Sequence, residues 1–190
     1  AIEGPLPPGC LQTVWRNDAR FVSTYWNTIP GKLLYSTFDW GIRDADGYYF
    51  ILGRSDDVIN VAGHRLGTRE IEEAISSHPN VAEVAVVGVA DALKGQVAMA
   101  FAVARDAAAL ADPATRLKLE GEIMKTVDQR LGALARPSRV HFVAMLPKTR
   151  SGKMLRRAIQ AVCEQRDPGD LTTMEDPAAL QQISELVATA

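Results

Sequence analysis

The sequence has no apolar run long enough to cross a bilayer and no large surplus of charge of either sign. Its 21 basic residues nearly balance its 23 acidic ones, and its isoelectric point is near 5.9. A membrane-spanning helix needs about 20 apolar residues, and a general nucleic-acid binder carries a strongly basic surface. We therefore expect neither a membrane protein nor a nucleic-acid-binding protein.

Cysteine is also scarce. The two cysteines, Cys10 and Cys163, have no spacing typical of a disulfide framework or a metal site. The stretch after Ala1 lacks the charged, then apolar, layout of a signal peptide. These features predict a reducing compartment, either the cytoplasm or the mitochondrial matrix of a eukaryote.

What is present is an ordinary globular composition, with 190 residues of which 47% are hydrophobic. Helical and strand patterns alternate from residue 56 to residue 165, which predicts a small α+β (mixed α/β) domain. Residues 1–55 predict a short helix at residues 18–26 and two or three strands, which are too few to bury their own apolar faces. We expect them to be the end of a larger preceding domain. Residues 166–190 predict a tail, with a turn-rich linker followed by a helix.

A basic turn at residues 146–157 separates a predicted strand, residues 140–146, from a predicted helix, residues 154–162. Proline leads this turn, and Ser151-Gly152-Lys153 can aim one ammonium group from a fixed backbone position. Free N–H groups at the start of the helix favour anions nearby. For a lone Ser-Gly-Lys, a solvated surface turn is the alternative interpretation.

Asp39 and Arg54 flank a predicted hairpin whose turn lies at residues 44–47. An aspartate can accept hydrogen bonds from both hydroxyls of a ribose, and an arginine can donate to the same sugar. Taken singly, these residues favour the simpler interpretation of a turn aspartate and a solvated arginine.

Two features follow the hairpin. Asp56 lies in a short polar interruption between two apolar runs, which predicts either a simple turn or a pivot. In residues 60–67, Gly63 lets the backbone approach a ligand, and Arg65 can pair with a phosphate. His64 has no second catalytic group nearby in the sequence, so we interpret it as structural.

Together these stretches resemble the adenylate-forming family, and within it the AMP-forming short-chain acyl-CoA synthetases. The basic turn resembles the lysine motif that closes those enzymes. The strings Phe38-Asp39-Trp40-Gly41 and Gly53-Arg54-Ser55-Asp56-Asp57 resemble two consecutive signatures, although many relatives have glycine where this chain has Phe38. The resemblance covers essentially the whole chain. Residues 166–173 are more similar to the propionate-activating branch than to the acetate-activating branch.

The resemblance implies a ligase that converts propionate, or a similar short-chain carboxylate, with ATP and CoA to acyl-CoA, AMP and pyrophosphate through an acyl-adenylate. Lys153 is then the adenylation lysine. Asp56 is then the hinge about which a mobile C-terminal domain, residues 56–165, rotates between the two half-reactions. Asp39 and Arg54 are implied to hold the ATP ribose.

For the other ligand sites, the resemblance implies that Arg65 contacts the ATP phosphates and that Ala62 and Gly63 line the pantetheine channel of CoA. Related enzymes use an arginine late in the long helix for the CoA 3′-phosphate. This chain has Asp128 at that position, with Arg130 nearby, so the identity of that contact stays open.

The resemblance further implies a Mg²⁺ site formed by Ser76, His78 and Val81. The implied partners are the protein's own N-terminal domain and a lysine acetyltransferase and deacetylase that act on Lys153. The family's phosphate loop and acyl pocket lie in the N-terminal domain, so this chain by itself is expected to be inactive.

Three alternatives remain open: an acetyl-CoA synthetase, a free-standing binding module that docks on another protein, and an adenylation domain that serves a carrier protein. A source protein several hundred residues longer than this chain would exclude the free-standing module.

Overall fold

The computed structural model describes residues 1–55 and 57–188, apart from the side chain of residue 109. The chain divides into two units, Ala1–Asp56 and Asp57–Ala190. Within the described ranges, no helix combines the length and the apolar character that a bilayer span requires.

The first unit contains two small antiparallel sheets and one helix. The pairs are β1 with β2 and β3 with β4. Helix α1 begins after Asn17, whose side chain accepts a hydrogen bond from the Arg20 N–H at 3.0 Å. The elements are β1 (Ile2–Glu3), α1 (Asp18–Tyr25), β2 (Leu34–Tyr35), β3 (Asp39–Arg43) and β4 (Tyr49–Arg54).

The apolar side chains of the first unit are mostly exposed. Phe21 is the one buried residue among those described in this unit. The β3–β4 hairpin exposes six large apolar side chains, which is the behaviour of strands that lack a covering layer. These side chains are Trp40, Ile42, Tyr48, Tyr49, Phe50 and Ile51.

The second unit is built around a five-stranded sheet with helices on both faces. Its strand order is β6-β5-β8-β7, with β9 parallel to β8 and the other pairs antiparallel. The strands are β5 (Val58–Val61), β6 (His64–Gly67), β7 (Val81–Asp91), β8 (Gly95–Ala104) and β9 (Arg139–Phe142). The helices are α2 (Thr68–Ser76), α3 (Pro113–Leu131), α4 (Arg156–Cys163) and α5 (Ala178–Ala188), with a short 3₁₀ helix at Ala108–Ala111.

The two faces of this sheet carry separate apolar cores because successive side chains of a strand point to opposite faces. In β8, Ala98, Ala100 and Ala102 pack on the side of α2 and α3, whereas Phe101 packs on the side of α4 and α5. Small alanines on one face leave room for Ile75 and the other large side chains of the covering helices. The predicted mixed α/β class is confirmed.

The predicted strand at residues 140–146 is too long. β9 ends at Phe142, although the Val143 N–H still donates to the Ala102 carbonyl of β8 at 3.0 Å. Beyond Val143, the side chain of Gln182 on α5 bonds the backbone: its Oε1 accepts from the Ala144 N–H at 2.8 Å, and its Nε2 donates to the Met145 carbonyl at 2.8 Å. From Ala144 onwards these backbone groups are therefore satisfied by a side chain and not by a neighbouring strand.

The two cysteines are free thiols. Cys10 is exposed, whereas Cys163 is partly buried at the end of α4. Burial, together with the charge of Glu164, raises the pKa of Cys163 to about 12. This thiol is therefore protonated at neutral pH and is a poor nucleophile.

Candidate functional site

The basic turn that ends in Lys153 is a tight hairpin fixed by its own backbone. Lys148 and Met154 face each other in an antiparallel bridge, and the Thr149 N–H donates to the Lys153 carbonyl at 2.9 Å. The Gly152 N–H donates to the Thr149 carbonyl at 2.8 Å, and Gly152 has φ +81°, a conformation that favours glycine. Lys153 thus lies on a hairpin that precedes α4, and not at a direct strand-to-helix turn.

The tail of the chain supports this hairpin from its other side. The Arg150 N–H donates to the Thr173 carbonyl at 3.1 Å, and the Glu175 N–H donates to the Lys148 carbonyl at 2.9 Å. One strand of the hairpin is therefore bonded on both edges. The backbone position of Lys153 is well determined even though its side chain is exposed.

The ammonium group of Lys153 has no ion-pair partner among the described residues. Two neighbouring cations differ from it, because Lys148 pairs with Glu83 at 2.7 Å and Arg156 pairs with Glu72 at 2.7 Å. A lysine is a compact point charge on a flexible stem. Within the described part of the turn, Lys153 and the exposed Arg150 therefore offer positive charge that no ion pair compensates to an incoming anion.

Ala62 and Gly63 form the two-residue turn between β5 and β6. Val61 and His64 pair across this turn, and Ala62 and Gly63 have φ +50° and +85°, as a type I′ hairpin turn requires. The Ala62 N–H donates to the Lys94 carbonyl at 2.8 Å. No described heavy atom lies within 4 Å of a Cβ built on Gly63, so this backbone is open to a ligand.

Arg65 lies on the same hairpin as that turn. It pairs with Asn60 across β5 and β6, and its side chain is exposed. The His64 Nδ1 atom lies 3.3 Å from the Ala62 carbonyl, a local contact inside the turn. The structure therefore brings the predicted phosphate and pantetheine residues together at one edge of the second unit.

Asp39 and Arg54 are direct partners across the β3–β4 ladder. Directly opposite residues of an antiparallel pair have Cβ atoms about 4.5–5.5 Å apart. Asp39 is exposed, and the Arg54 guanidinium carbon lies 5.7 Å from the centroid of the Phe38 ring. The two side chains predicted to bind one ribose therefore start from adjacent positions.

Phe38 occupies a backbone conformation that suits glycine. Its φ is +61°, which costs a residue with a side chain about 1–2 kcal/mol. Its carbonyl accepts from the Ser55 N–H at 2.6 Å and the Ser55 hydroxyl at 3.1 Å, and its ring contacts Tyr25 edge-on. These contacts stabilise Phe38 and so offset the cost of its backbone strain. Phe38 is the residue at which the chain differs from the family signature.

The predicted metal ligands Ser76, His78 and Val81 follow one another from the end of α2 to the start of β7. The His78 carbonyl accepts from the Val81 N–H at 3.1 Å, and the imidazole Nε2 lies 3.6 Å from a Glu122 oxygen. Among the described residues, no three His, Cys, Asp or Glu side chains cluster. The groups here that suit a hard cation such as Mg²⁺ are the backbone carbonyl oxygens at and after the C-terminal end of α2.

The remaining predicted positions are Asp56, Asp128 and Arg130. Asp56 lies outside the described residues. Asp128, at the position where relatives carry the CoA arginine, accepts from Arg136 at 3.0 Å, and its other oxygen is buried without a partner among the described residues. Arg130, in the last turn of α3, is exposed.

The sequence analysis missed a half-buried ion network around Arg156. The guanidinium donates to both Glu72 oxygens, at 3.1 and 2.7 Å, and lies 3.8 Å from an Asp57 oxygen. Burial acts to lower the pKa of Arg156, but the bonds to Glu72 and the charges of Glu72 and Asp57 outweigh it and raise that pKa. Glu72 is 84 residues from Arg156 in the sequence, and Asp57 is still farther away, so no spacing signal could reveal them.

Comparison with known proteins identifies the family. Residues 70–153, which contain the β7–β8 sheet and end at Lys153, match the family model of the AMP-binding enzyme C-terminal domain. The chain belongs to the adenylate-forming family. Its resemblance to the acyl-CoA synthetases of that family is confirmed by individual relatives.

Individual adenylate-forming relatives agree with this assignment. The chain is 67% identical over 186 residues to a propionate–CoA ligase of Salmonella typhimurium, covering 98% of this chain and 30% of the relative. It is 46% identical over 175 residues to an acetyl-coenzyme A synthetase of Pyrobaculum aerophilum, covering 92% of this chain and 25% of the relative. The chain therefore spans less than a third of the length of these relatives.

A solved adenylate-forming structure shares the fold. ATP-bound MatB from Rhodopseudomonas palustris superposes with a TM-score of 0.61 at 30% identity, covering 80% of this chain and 28% of MatB.

Proposed function

We propose that the protein containing this chain is an AMP-forming acyl-CoA synthetase that acts on propionate. In the first step, a carboxylate oxygen bonds to the α-phosphorus of ATP and the bond to pyrophosphate breaks. In the second step, the thiol of CoA displaces AMP and the acyl-CoA thioester forms. The observation that carries the proposal is the uncompensated Lys153 ammonium on a fixed turn of an AMP-binding enzyme C-terminal domain.

Lys153 serves the first step. The attacking carboxylate and the α-phosphate are both anions, so their approach is opposed by electrostatic repulsion. An ammonium group placed between them reduces that repulsion and stabilises the charge that develops in the transition state. The bonded hairpin supports this role because it holds the lysine backbone in one place before the substrates arrive.

Each unit contains residues that we assign to the nucleotide. Asp39 accepts hydrogen bonds from the ribose hydroxyls, and Arg54, its cross-strand partner, donates to the same sugar. Arg65 pairs with the phosphates. The phosphate loop and the acyl pocket are expected in the N-terminal domain, so the chain needs that domain to complete the site.

The second step requires a different face of the C-terminal domain. Rotation about Asp56 removes Lys153 and brings the Ala62-Gly63 turn to the active site, where its open backbone lines the pantetheine channel. The left-handed turn supports this role because it presents backbone with almost no side chain.

A bound Mg²⁺ would supply positive charge that offsets the negative charge of phosphate groups. The carbonyl oxygens of Ser76, His78 and Val81 would hold it, with water as the remaining ligands. The His78 imidazole is directed to Glu122 and takes no part. We also propose a cytoplasmic enzyme whose Lys153 is the target of a lysine acetyltransferase and deacetylase.

Assay of the full-length protein tests the proposed function. With ATP, CoA and propionate, we expect equal amounts of propionyl-CoA, AMP and pyrophosphate, and a higher kcat/KM for propionate than for acetate. A preference for acetate would identify an acetyl-CoA synthetase instead. Acyl transfer to a carrier protein but not to CoA, or no adenylation at all, would refute the proposal.

Replacing Asp39 by alanine is expected to raise the KM for ATP about ten- to a hundredfold, because a hydrogen bond to a charged group is worth about 1.5–3 kcal/mol. The KM for propionate should change much less. Steady-state kinetics of the full-length protein measure both values. Asp46→Ala is the matched control, since Asp46 is an exposed aspartate in the turn of the same hairpin. An unchanged KM for ATP would remove Asp39 from the site.

Acetylation of Lys153 is expected to block adenylation, because it removes the only charge of that side chain. Acetyl-lysine incorporated at position 153 should abolish acyl-adenylate formation, and enzymatic deacetylation should restore it. The control carries acetyl-lysine at Lys125, which is exposed on α3. Normal adenylation by protein that is fully acetylated at position 153, confirmed by mass spectrometry, would contradict the prediction.

A further inference from the structure

The Arg156 network joins three elements of the second unit. Arg156 is the first residue of α4, Glu72 lies on α2, and Asp57 directly precedes β5. Their side chains are 28%, 13% and 26% exposed, respectively. Glu72 Oε1 also accepts from the Val86 N–H of β7 at 2.9 Å, so the carboxylate is anchored to the sheet as well as to the guanidinium.

The network connects the lysine turn to Asp57, the residue next to the proposed pivot. Arg156 follows Lys153 by three residues, and the intervening backbone is held by the Leu155 N–H, which donates to the Pro147 carbonyl at 3.0 Å. At the other end, Asp57 follows Asp56 directly. The guanidinium of Arg156 therefore links the backbone that follows the lysine turn to the carboxylates of Glu72 and Asp57.

We propose that Arg156 is a positioning residue which, through Glu72 and Asp57, fixes the Lys153 turn relative to the pivot, so that rotation of the domain delivers the ammonium to one place. This inference rests on the proposed function. A guanidinium suits the task because its planar fork donates to both oxygens of one carboxylate and still faces a second one. The partial burial of all three groups limits screening by salt.

The Ala62-Gly63 turn does not depend on this network. Strand β5 connects it to Asp57 through four residues, Val58–Val61, that are paired with β6. Loss of the network should therefore disturb the lysine turn and leave the CoA-facing turn in place. The two half-reactions should respond differently, which a general loss of stability would not produce.

The test compares Arg156→Met, Arg156→Lys and Asp57→Asn in the full-length protein. We expect Arg156→Met to lower the kcat of acyl-adenylate formation about ten- to a hundredfold, since displacement of a catalytic group by about 1 Å has effects of this size. The KM for ATP and the rate of thioester formation from supplied propionyl-adenylate should change less than about threefold. Arg156→Lys and Asp57→Asn should give smaller losses in the same half-reaction.

Arg69→Met is the matched control. It removes an exposed ion pair of the same helix α2, in which Arg69 and Glu73 are 3.0 Å apart and 65% and 64% exposed, and both half-reactions should be unchanged. Thermal unfolding followed by circular dichroism defines the temperature range in which each variant is folded, and the assays are run inside it. If Arg156→Met does not fold, Asp57→Asn decides the outcome.

An equal loss in both half-reactions, or no loss in adenylation by any folded variant, would overturn the inference. Lys153→Ala, assayed in parallel, separates this failure from that of the proposed function. If Lys153→Ala blocks adenylation while the Arg156 and Asp57 variants do not, only the positioning role fails. If Lys153→Ala has no effect either, the proposed function fails first.

Discussion

Replacing Lys153 by alanine is expected to reduce acyl-adenylate formation by the full-length protein about 10²–10³-fold or more, the usual effect of removing a group that stabilises transition-state charge. Thioester formation from supplied propionyl-adenylate should stay near its original rate, because the lysine is needed in only one conformation. Pyrophosphate exchange measures the first half-reaction, and propionyl-CoA formation from synthetic propionyl-adenylate measures the second.

The neighbouring cation provides the control for this experiment. Arg150 lies on the same turn and is exposed, and its backbone N–H, but not its side chain, has a partner among the described residues of the tail. Arg150→Ala should therefore leave both half-reactions nearly unchanged. Equal losses in both half-reactions of Lys153→Ala would show that the lysine does not act in adenylation alone, and the assigned role would be wrong.

Replacing Phe101 by alanine is expected to lower the free energy of unfolding of the second unit by about 3–5 kcal/mol. Phe101 is completely buried on β8 and stacks on His141 with ring centroids 5.3 Å apart, so its removal leaves a cavity that a β-sheet cannot close. In the 190-residue chain, far-ultraviolet circular dichroism should show the melting temperature of the helices falling by about 10 °C or more.

The chain contains its own internal reference for this measurement. All its tryptophans and tyrosines lie in residues 1–56, so intrinsic tryptophan fluorescence reports only on the first unit. We expect the fluorescence transition of Phe101→Ala to match that of the unsubstituted chain. Leu93→Ala, at a side chain that is 96% exposed, should move neither transition. A coincident shift of both signals would mean that the two units unfold as one body.

Much of the second unit could be predicted from local sequence. The β-branched run of β7 and the Asp112-Pro113 start of α3 are both short-range signals in the sequence, and the structure contains a strand and a helix at these positions. The end of β9 could not be predicted in this way. The apolar pattern continues to Leu146, but the side-chain amide of Gln182 bonds the backbone of Ala144 and Met145. That competing partner arrives from an element far along the chain.

In the candidate site too, local features could be predicted from the sequence and other features could not. Turn chemistry is local, so Gly152 and the Ala62-Gly63 pair identified turns that the structure contains. The strain at Phe38 could not be predicted, because a difference from the family signature does not give the backbone angle at that position. The structure gives this angle, a φ of +61°.

The sequence by itself determined the mixed α/β class, the family and the residue types available at each candidate site. It could do so because apolar periodicity, turn residues and short motifs act over a few neighbouring positions. Only the tertiary structure decided that Asp39 faces Arg54 and that Arg156 joins Glu72 to Asp57. Strand register and half-buried ion pairs depend on contacts between distant segments, and those contacts exist only once the chain has folded.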